Sequence, residues 1–172
     1  MNRIKVVSDA TDLVPVLRAV DSPLKVELLK RLSDDWMTEK QIADAFGKEG
    51  VEQLAFFEHL NLIDTRWQSG SSAQPEKSYH SYYSTVSVNA SAPISEFYEI
   101  LSIATMKSGD YADEEKRIIA AVGNEGSRFF SDVAQELGMS PTRLKGLVKR
   151  SEKLDYHGHR IEITKKNGKE KH

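Results

Sequence analysis

The 172-residue chain is 39% hydrophobic, which is enough for one ordinary domain or two small ones. Its 24 Lys and Arg against 26 Asp and Glu give a net charge of −2, so no overall positive field favours nucleic acid. The lack of cysteine excludes disulfides and thiolate metal sites, and no apolar run suits a membrane span or a signal peptide. These features predict a cytoplasmic protein without membrane contact.

The charge is unevenly distributed along the chain. Residues 1–139 carry 14 Lys and Arg against 22 Asp and Glu, whereas residues 140–172 carry 10 against 4. This asymmetry indicates that a contact with a polyanion lies near the C-terminus. The alternative is a charged tail that only keeps the protein soluble.

Helix signals follow one another through the first sixty residues. Apolar spacing between residues 13 and 20 predicts a short helix. Ser22-Pro23 combines an N-cap hydroxyl with a proline at the first helical position, so a second helix begins there. Thr38 and Gln41 have the spacing of a capping box, which predicts a third helix.

The third helix is predicted to end at Gly47, and a fourth to cover residues 51–59. Strand-like sequences follow in LNLIDTRW and SYHSYYSTVSV, separated by the polar sequence QSGSSAQPEK, which predicts a mobile loop. Helices followed by a two-stranded ribbon with a flexible tip are the order of a winged helix-turn-helix. The side chains of this half predicted to face inward are Leu28, Leu29, Leu32, Ile42, Ala43, Phe46, Leu54 and Phe57.

Pro93 is predicted to begin a further helix, PISEFYEILSIATM. Four large apolar residues lie close to one of its faces, which is too apolar for a bare interdomain spacer. We therefore expect a homodimer that uses this face or the N-terminal helix. The predicted dimerisation residues are Ile94, Phe97, Tyr98 and Leu101.

The same order of elements is predicted again after this helix. Asp110 or Asp113 is expected to cap the next helix, Ser131 to cap DVAQELG, and Ser140 to cap a basic helix. LDYHGHRIEIT then forms a tight hairpin around Gly158. The predicted fold class is mainly α with small β-hairpin wings (α+β), as two tandem winged helix-turn-helix modules. Their boundaries are residues 1–92 and 110–172, joined by a helix at residues 93–109.

The stretch GMSPTRLKGLVKR has the features of a DNA recognition helix. Early polar residues of such a helix contact base edges, later cations contact phosphates, and a small residue such as Gly146 permits close approach. The alternative is a solvated surface helix, since helices commonly expose Lys and Arg. The DNA-binding residues predicted in this half are Ser140, Thr142, Arg143, Lys145, Lys149, Arg150, Arg160 and Lys165.

The sequence DSPLKVELLKRLSDDWMTEKQIADAFG resembles the opening of ArsR-type winged-helix transcriptional regulators. PEKSYHSYYSTVSV resembles the second wing strand of archaeal ArsR-like regulators. The resemblance covers roughly residues 13–90, with a second winged helix appended. It implies DNA-binding transcriptional regulation. One departure concerns KEGVEQLAFFEHLNLI, the expected recognition helix, which is short and acidic and would repel phosphates. Lys77 and Tyr79 on the wing are the DNA contacts predicted in this half.

Enzyme and cofactor signatures are absent from the sequence. It contains no Gly-rich phosphate loop, and the only closely spaced histidines, His157 and His159, straddle a turn. We therefore expect no catalytic residues, no cofactor and no metal. The predicted function is a homodimeric transcriptional regulator that binds double-stranded DNA mainly through the C-terminal recognition helix, with a possible contact to the transcription machinery. The alternative is a winged-helix scaffold that binds proteins and not DNA, as in chromosome-condensing complexes.

Overall fold

The computed structural model describes residues 3–69 and 75–164 and has a mixed α/β fold of helices and small sheets. Tertiary contacts divide the chain into two compact units. Unit 1 contains residues 1–8 and 16–89, and unit 2 contains Asp9–Pro15 and residues 90–172. The short segment Asp9–Pro15, called the 9–15 segment below, thus packs with unit 2 although its chain neighbours on both sides pack with unit 1.

The elements up to residue 89 are mainly helical with short strands. They are β1 (Ile4–Val7), a 3₁₀ turn (Ala10–Asp12), α1 (Leu13–Ala19), α2 (Pro23–Asp34), β2 (Met37–Thr38), α3 (Glu39–His59), β3 (Ile63–Ser69), β4 (Pro75–Ser81) and β5 (Thr85–Val88).

The helix starts predicted at Ser22 and Thr38 are confirmed. The Ser22 hydroxyl accepts a hydrogen bond from the backbone N–H of Lys25 at 3.3 Å. At Thr38, the side-chain oxygen accepts from the Gln41 N–H, and the Gln41 amide oxygen accepts from the Thr38 N–H. These reciprocal bonds satisfy backbone donors that the first turn of a helix leaves unpaired.

Gly47 interrupts α3 and divides it into two halves. Its φ of 67° and ψ of −169° lie outside the helical region, and a glycine adopts this conformation without steric cost. The predicted helix end at Gly47 is therefore confirmed as a kink, with the chain continuing as helix beyond it. The inward orientation predicted for Ala43 is wrong, because its side chain is exposed while Ile42 is fully buried.

The predicted ribbon forms a three-stranded antiparallel sheet in the order β2-β4-β3. Residues 70–74 of the predicted mobile loop lie outside the described residues. Helices α2 and α3 pack on this sheet, and Leu28, Leu32, Ile42 and Phe57 are fully buried between them. The hydrophobic effect of this core fixes the ribbon beside the second half of α3.

A parallel pair of strands, β1 and β5, was not predicted. The expected strand SYHSYYSTVSV is interrupted after Ser81, so it forms two strands, β4 and β5. β5 pairs with β1 in the register Ile4↔Thr85. The backbone N–H of Ser84 donates to the Arg3 carbonyl at 2.9 Å and leads into this pairing.

Unit 2 has its own hydrophobic core. Its remaining elements are α4 (Ile94–Thr105), α5 (Ser108–Val122), β6 (Ser127–Phe129), α6 (Phe130–Leu137), α7 (Pro141–Arg150), β7 (Leu154–His157) and β8 (Arg160–Ile163). The fully buried side chains include Val14, Ile100, Ile103, Ile118, Val133, Leu144, Leu147 and Ile161. The three short strands form an antiparallel sheet in the order β6-β8-β7.

Two predicted caps in this unit are wrong, and the predicted hairpin turn at Gly158 is confirmed. α5 begins at Ser108, before Asp110, and α6 begins at Phe130 directly after β6, so Ser131 lies inside the helix. Gly138 ends α6 with a φ of 62°, and Gly158 with a φ of 57° closes the hairpin between β7 and β8. Glycine avoids the steric penalty of the left-handed region at both positions.

Candidate nucleic-acid interface

The N-terminus of α7 is formed as the sequence predicts. The Ser140 hydroxyl accepts a hydrogen bond from the Arg143 N–H at 3.0 Å, and Pro141 occupies the first helical position. The Ser140 hydroxyl also donates to Glu99 of α4 at 2.8 Å, and the Thr142 hydroxyl donates to Glu96 at 2.7 Å. The hydroxyls predicted to contact DNA thus already contact carboxylates of α4.

The three cations at the centre of α7 also bind carboxylates. Arg143 pairs with Glu114 of α5, with 2.7 Å between Nη2 and Oε1. The Lys145 ammonium contacts Asp9, and the Lys149 ammonium contacts Asp12, both in the 9–15 segment. All three cationic side chains are less than one-third exposed.

The electrostatics of Asp9 reflect this pairing. Partial burial alone would raise the pKa of its carboxyl group, but hydrogen bonds from Lys145 and Thr11 lower it well below its usual range. Lys149 adds a weaker attraction, with its Nζ 3.9 Å from the Asp9 carboxylate. Asp9 therefore holds its negative charge against the cationic face of α7.

Gly146 lies in the core of unit 2. A Cβ atom built on it would lie 2.8 Å from Cδ1 of Ile103 on α4 and 3.7 Å from Cγ2 of Val14. The close approach predicted for this glycine is thus made in this structure by α4 and the 9–15 segment. Helices pack this closely where a residue without a side chain leaves room.

Arg150 and Arg160 both have structural contacts. Arg150 is 8% exposed; its Nη1 donates to the Ile103 carbonyl oxygen at 2.5 Å, and its guanidinium lies over the ring of Tyr111. Arg160 donates from Nε to the Ser127 hydroxyl at 2.8 Å and lies over the ring of Phe129. Lys165 lies outside the described residues.

In unit 1, the second half of α3, which the sequence predicts as a recognition helix, is acidic on its exposed side, with Glu49 and Glu52 in solvent. Lys77 of β4 pairs with Glu58 of this helix at 2.5 Å. Burial tends to lower the pKa of Lys77, but the bond to Glu58 outweighs it and raises the pKa. Tyr79, 4% exposed, belongs to the core, and burial raises the pKa of its phenol.

The residues predicted for dimerisation divide between two environments. Ile94 is 67% exposed and Tyr98 is 65% exposed, whereas Phe97 and Leu101 are half-buried. Ile100 and Ile103 supply the buried face of α4 instead. The exposed pair at the start of α4 is thus the part of the predicted interface that is free to meet another molecule.

Exposed aromatic side chains on the ribbon of unit 1 were not predicted from the sequence. Trp67 is 70% exposed near the end of β3. On the opposite face of this strand, the Arg66 guanidinium lies 4.0 Å from the ring centre of Trp36, which stacks on His80. The Arg-Trp pair in LNLIDTRW was the available signal. The carboxylates that pair with α7 were not predicted from the sequence either; they are Asp9, Asp12, Glu96, Glu99 and Glu114.

The sequence matches the protein-family model described as ArsR transcriptional regulator over residues 7–165. The chain belongs to the ArsR family. ArsR proteins are transcriptional regulators, not enzymes, and they bind DNA, typically as dimers. A search of curated protein sequences found no significant match.

Two further searches cover the residues that the structure describes. Within residues 3–69 and 75–164, no helix is long and apolar enough to cross a membrane. Across the same residues, no group of three or more His, Cys, Asp or Glu side chains is arranged to hold a metal ion.

Proposed function

We propose that this ArsR protein is a DNA-binding transcriptional regulator of the archaeal ArsR-like type, with two winged helix-turn-helix modules in tandem. The modules comprise residues 1–92 and 110–172, joined by a helix at residues 93–109. In each half the order is helix, short strand, two helices and a two-stranded ribbon. That order is typical of winged helices, in which the second of the paired helices enters the major groove.

The observation that carries the proposal is the composition of α7. The helix follows Gly138, which adopts a left-handed backbone conformation, and Ser140 caps its N-terminus. Its cationic residues are Arg143, Lys145 and Lys149. Each of these side chains binds a carboxylate, so each already has the geometry of a cation that binds an oxygen anion. Binding of DNA exchanges these carboxylate oxygens for phosphate oxygens and base edges.

The corresponding helix of the first module is a weaker candidate for DNA contact. Lys48 at its start pairs with Glu52 at 3.5 Å, and Glu49 and Glu52 both lie in solvent. Carboxylates near phosphates oppose binding. The first module therefore contributes little to DNA contact, and its wing residue Lys77 contributes at most a flanking phosphate contact.

A salt series with generic duplex DNA tests the proposal. Affinity measured by mobility shift is expected to fall steeply between about 50 and 200 mM salt, because bound phosphates release counterions. Binding-site mapping on genomic DNA would then identify the operator. No binding at the lowest salt would contradict the proposal.

The second candidate function is a winged-helix scaffold that binds proteins and not DNA. The same ion pairs favour it, since the cations of α7 are occupied by Asp9, Asp12 and Glu114. The salt series separates the two functions, because a scaffold would show no duplex binding at any salt concentration.

A further inference from the structure

The 9–15 segment presents an acidic face to α7. Asp9 and Asp12 lie one turn apart and contact Lys145 and Lys149, which are one turn apart on α7. The negative charges thus match the spacing of the two lysines. Phosphate oxygens of a DNA backbone would bind the same two ammonium groups.

The local geometry fixes the Asp9 carboxylate in this orientation. One oxygen of Asp9 accepts hydrogen bonds from the Thr11 N–H at 2.9 Å and the Thr11 hydroxyl at 2.6 Å. The other oxygen contacts Lys145. Thr11 is itself 4% exposed, so the segment is held in place by a buried threonine as well as by charge.

The 9–15 segment contributes less than α4 to the core of unit 2. It contributes Ala10 and Val14 to the core of unit 2, whereas α4 contributes the two fully buried residues Ile100 and Ile103. Departure of the 9–15 segment therefore exposes less apolar surface than departure of α4. Of the elements that pair with α7, this segment is the one that DNA displaces most easily.

We infer that the 9–15 segment is an autoinhibitory element, which occupies the phosphate-binding lysines of α7 and must be displaced when DNA binds. The inference rests on the proposed DNA binding by α7 and adds its regulation. The described structure is the inhibited state, in which carboxylates stand where phosphates bind. The segment and DNA then compete for Lys145 and Lys149, so each weakens the binding of the other.

Neutralisation of the segment tests this competition. In the variant Asp9→Asn/Asp12→Asn, the asparagine at position 9 keeps an oxygen for the two Thr11 bonds, so the turn is expected to stay folded. Affinity for duplex DNA is expected to rise about tenfold at low salt, within the usual range for two coupled sites. The salt slope is expected to stay about the same, because Lys145 and Lys149 contact phosphates in the DNA complex of both proteins.

A matched control separates this effect from a general change in charge. Asp113→Asn/Glu125→Gln removes the same two negative charges from exposed residues of unit 2 that do not contact α7. The control is expected to raise affinity by less than about threefold. In addition, the gain from the first variant is expected to vanish when Lys145→Gln and Lys149→Gln are also present.

Hydrogen exchange supplies a second measurement on the unmodified protein. Saturating duplex DNA is expected to accelerate amide exchange in residues 9–15, because displacement removes the packing on unit 2 that protects bonds such as the one from the Asp12 N–H to the Asp9 carbonyl. Unchanged or slower exchange would overturn the inference, as would equal gains from the segment variant and its control. If no variant binds DNA at any salt, the proposed function itself is overturned and the inference with it.

Discussion

At the scale of single residues, Gly146 and Gly109 test whether the packing of α7 is as tight as the structure indicates. A Cβ at Gly146 meets Ile103 at 2.8 Å, whereas a Cβ at Gly109 meets nothing within 4 Å. Gly109→Ala is expected to stabilise the protein by about 0.5–1 kcal/mol through helix preference. Gly146→Ala has the same gain but overpacks the core, at a cost of about 1–3 kcal/mol. Urea denaturation of both variants measures the difference, and equal effects would show that α7 and α4 do not pack closely.

The Asp9 carboxyl group gives a prediction for the pH dependence of stability. Its pKa is lowered in the folded state, so the folded state binds fewer protons than the unfolded state near the unfolded pKa of about 3.9. The contribution of the Asp9 charge to the free energy of unfolding is therefore complete above this pH and is lost as the pH falls through and below it. Because Asp9 is about one-third exposed, screening limits the contribution to about 1 kcal/mol.

Asp9→Asn is accordingly expected to lower the free energy of unfolding by about 1 kcal/mol at pH 6. The difference from the natural protein is expected to shrink as the pH falls toward 2, since Asp9 then binds a proton in the unfolded state while its lowered pKa keeps it charged in the folded state. Chemical denaturation at a series of pH values measures both quantities. A difference that stays constant across the series would show that the Asp9 charge does not interact with Lys145.

At the scale of elements, α7 is expected to bind DNA through two kinds of side chain. Lys149→Ala is predicted to weaken binding to all duplexes alike and to reduce the salt slope by about one, as for a phosphate contact. Arg143→Ala is predicted to relax discrimination between specific and random duplexes by about 1–3 kcal/mol, as for a base contact. Affinities at two or more salt concentrations measure these effects, with circular dichroism as the control for folding.

The two candidate elements of unit 1 supply the contrasting variants. Glu52→Ala on α3 is expected to leave DNA affinity unchanged or to raise it, because it removes a negative charge from an exposed helix face. Lys77→Ala on β4 removes the ion pair with Glu58 and is expected to change affinity less than Lys149→Ala. If Lys77→Ala abolishes binding while the α7 variants bind normally, the wing of unit 1 is the DNA contact.

Caps and turns were predictable from the sequence where the residues that form them lie close together in the chain. The caps at Ser22 and Thr38 and the turn at Gly158 depend on contacts between residues two to four positions apart. In contrast, the pairing of β1 with β5 joins Ile4 to Thr85, and the ion pair of Asp9 joins Lys145, 136 positions away. A single sequence contains no periodicity that links such distant residues, so the occupied state of the α7 cations was not predictable.

At the scale of the whole molecule, the chain is expected to form a homodimer, as ArsR proteins typically do. Ile94 and Tyr98 at the start of α4 are the proposed contact. Ile94→Asp/Tyr98→Asp is expected to shift the protein from dimer to monomer in sedimentation equilibrium at micromolar concentration. The fold should be retained, because both side chains are more than 60% exposed in the single chain.

Two other exposed apolar residues, one on each strand of the parallel pair, supply the control for this prediction. Val6 is 64% exposed on β1 and Val88 is 57% exposed on β5. Val6→Ser/Val88→Ser is expected to leave the dimer intact. If this variant dissociates and the α4 variant does not, the two-stranded sheet forms the interface and the assignment to α4 is wrong.

The division of the first fifteen residues between the two units has a consequence for synthesis on the ribosome. β1 leaves the exit tunnel long before its partner β5, and Val14 leaves it long before α7, against which it packs. Neither unit can therefore complete its tertiary structure until a segment far along the chain has emerged. Contacts between residues so far apart in the chain slow folding. If unit 1 folds first, residues 9–15 must stay unpacked until the elements of unit 2 against which they pack have been translated. A nascent chain arrested before residue 140 is thus expected to hold an unpacked Val14, although all of unit 1 has already been translated.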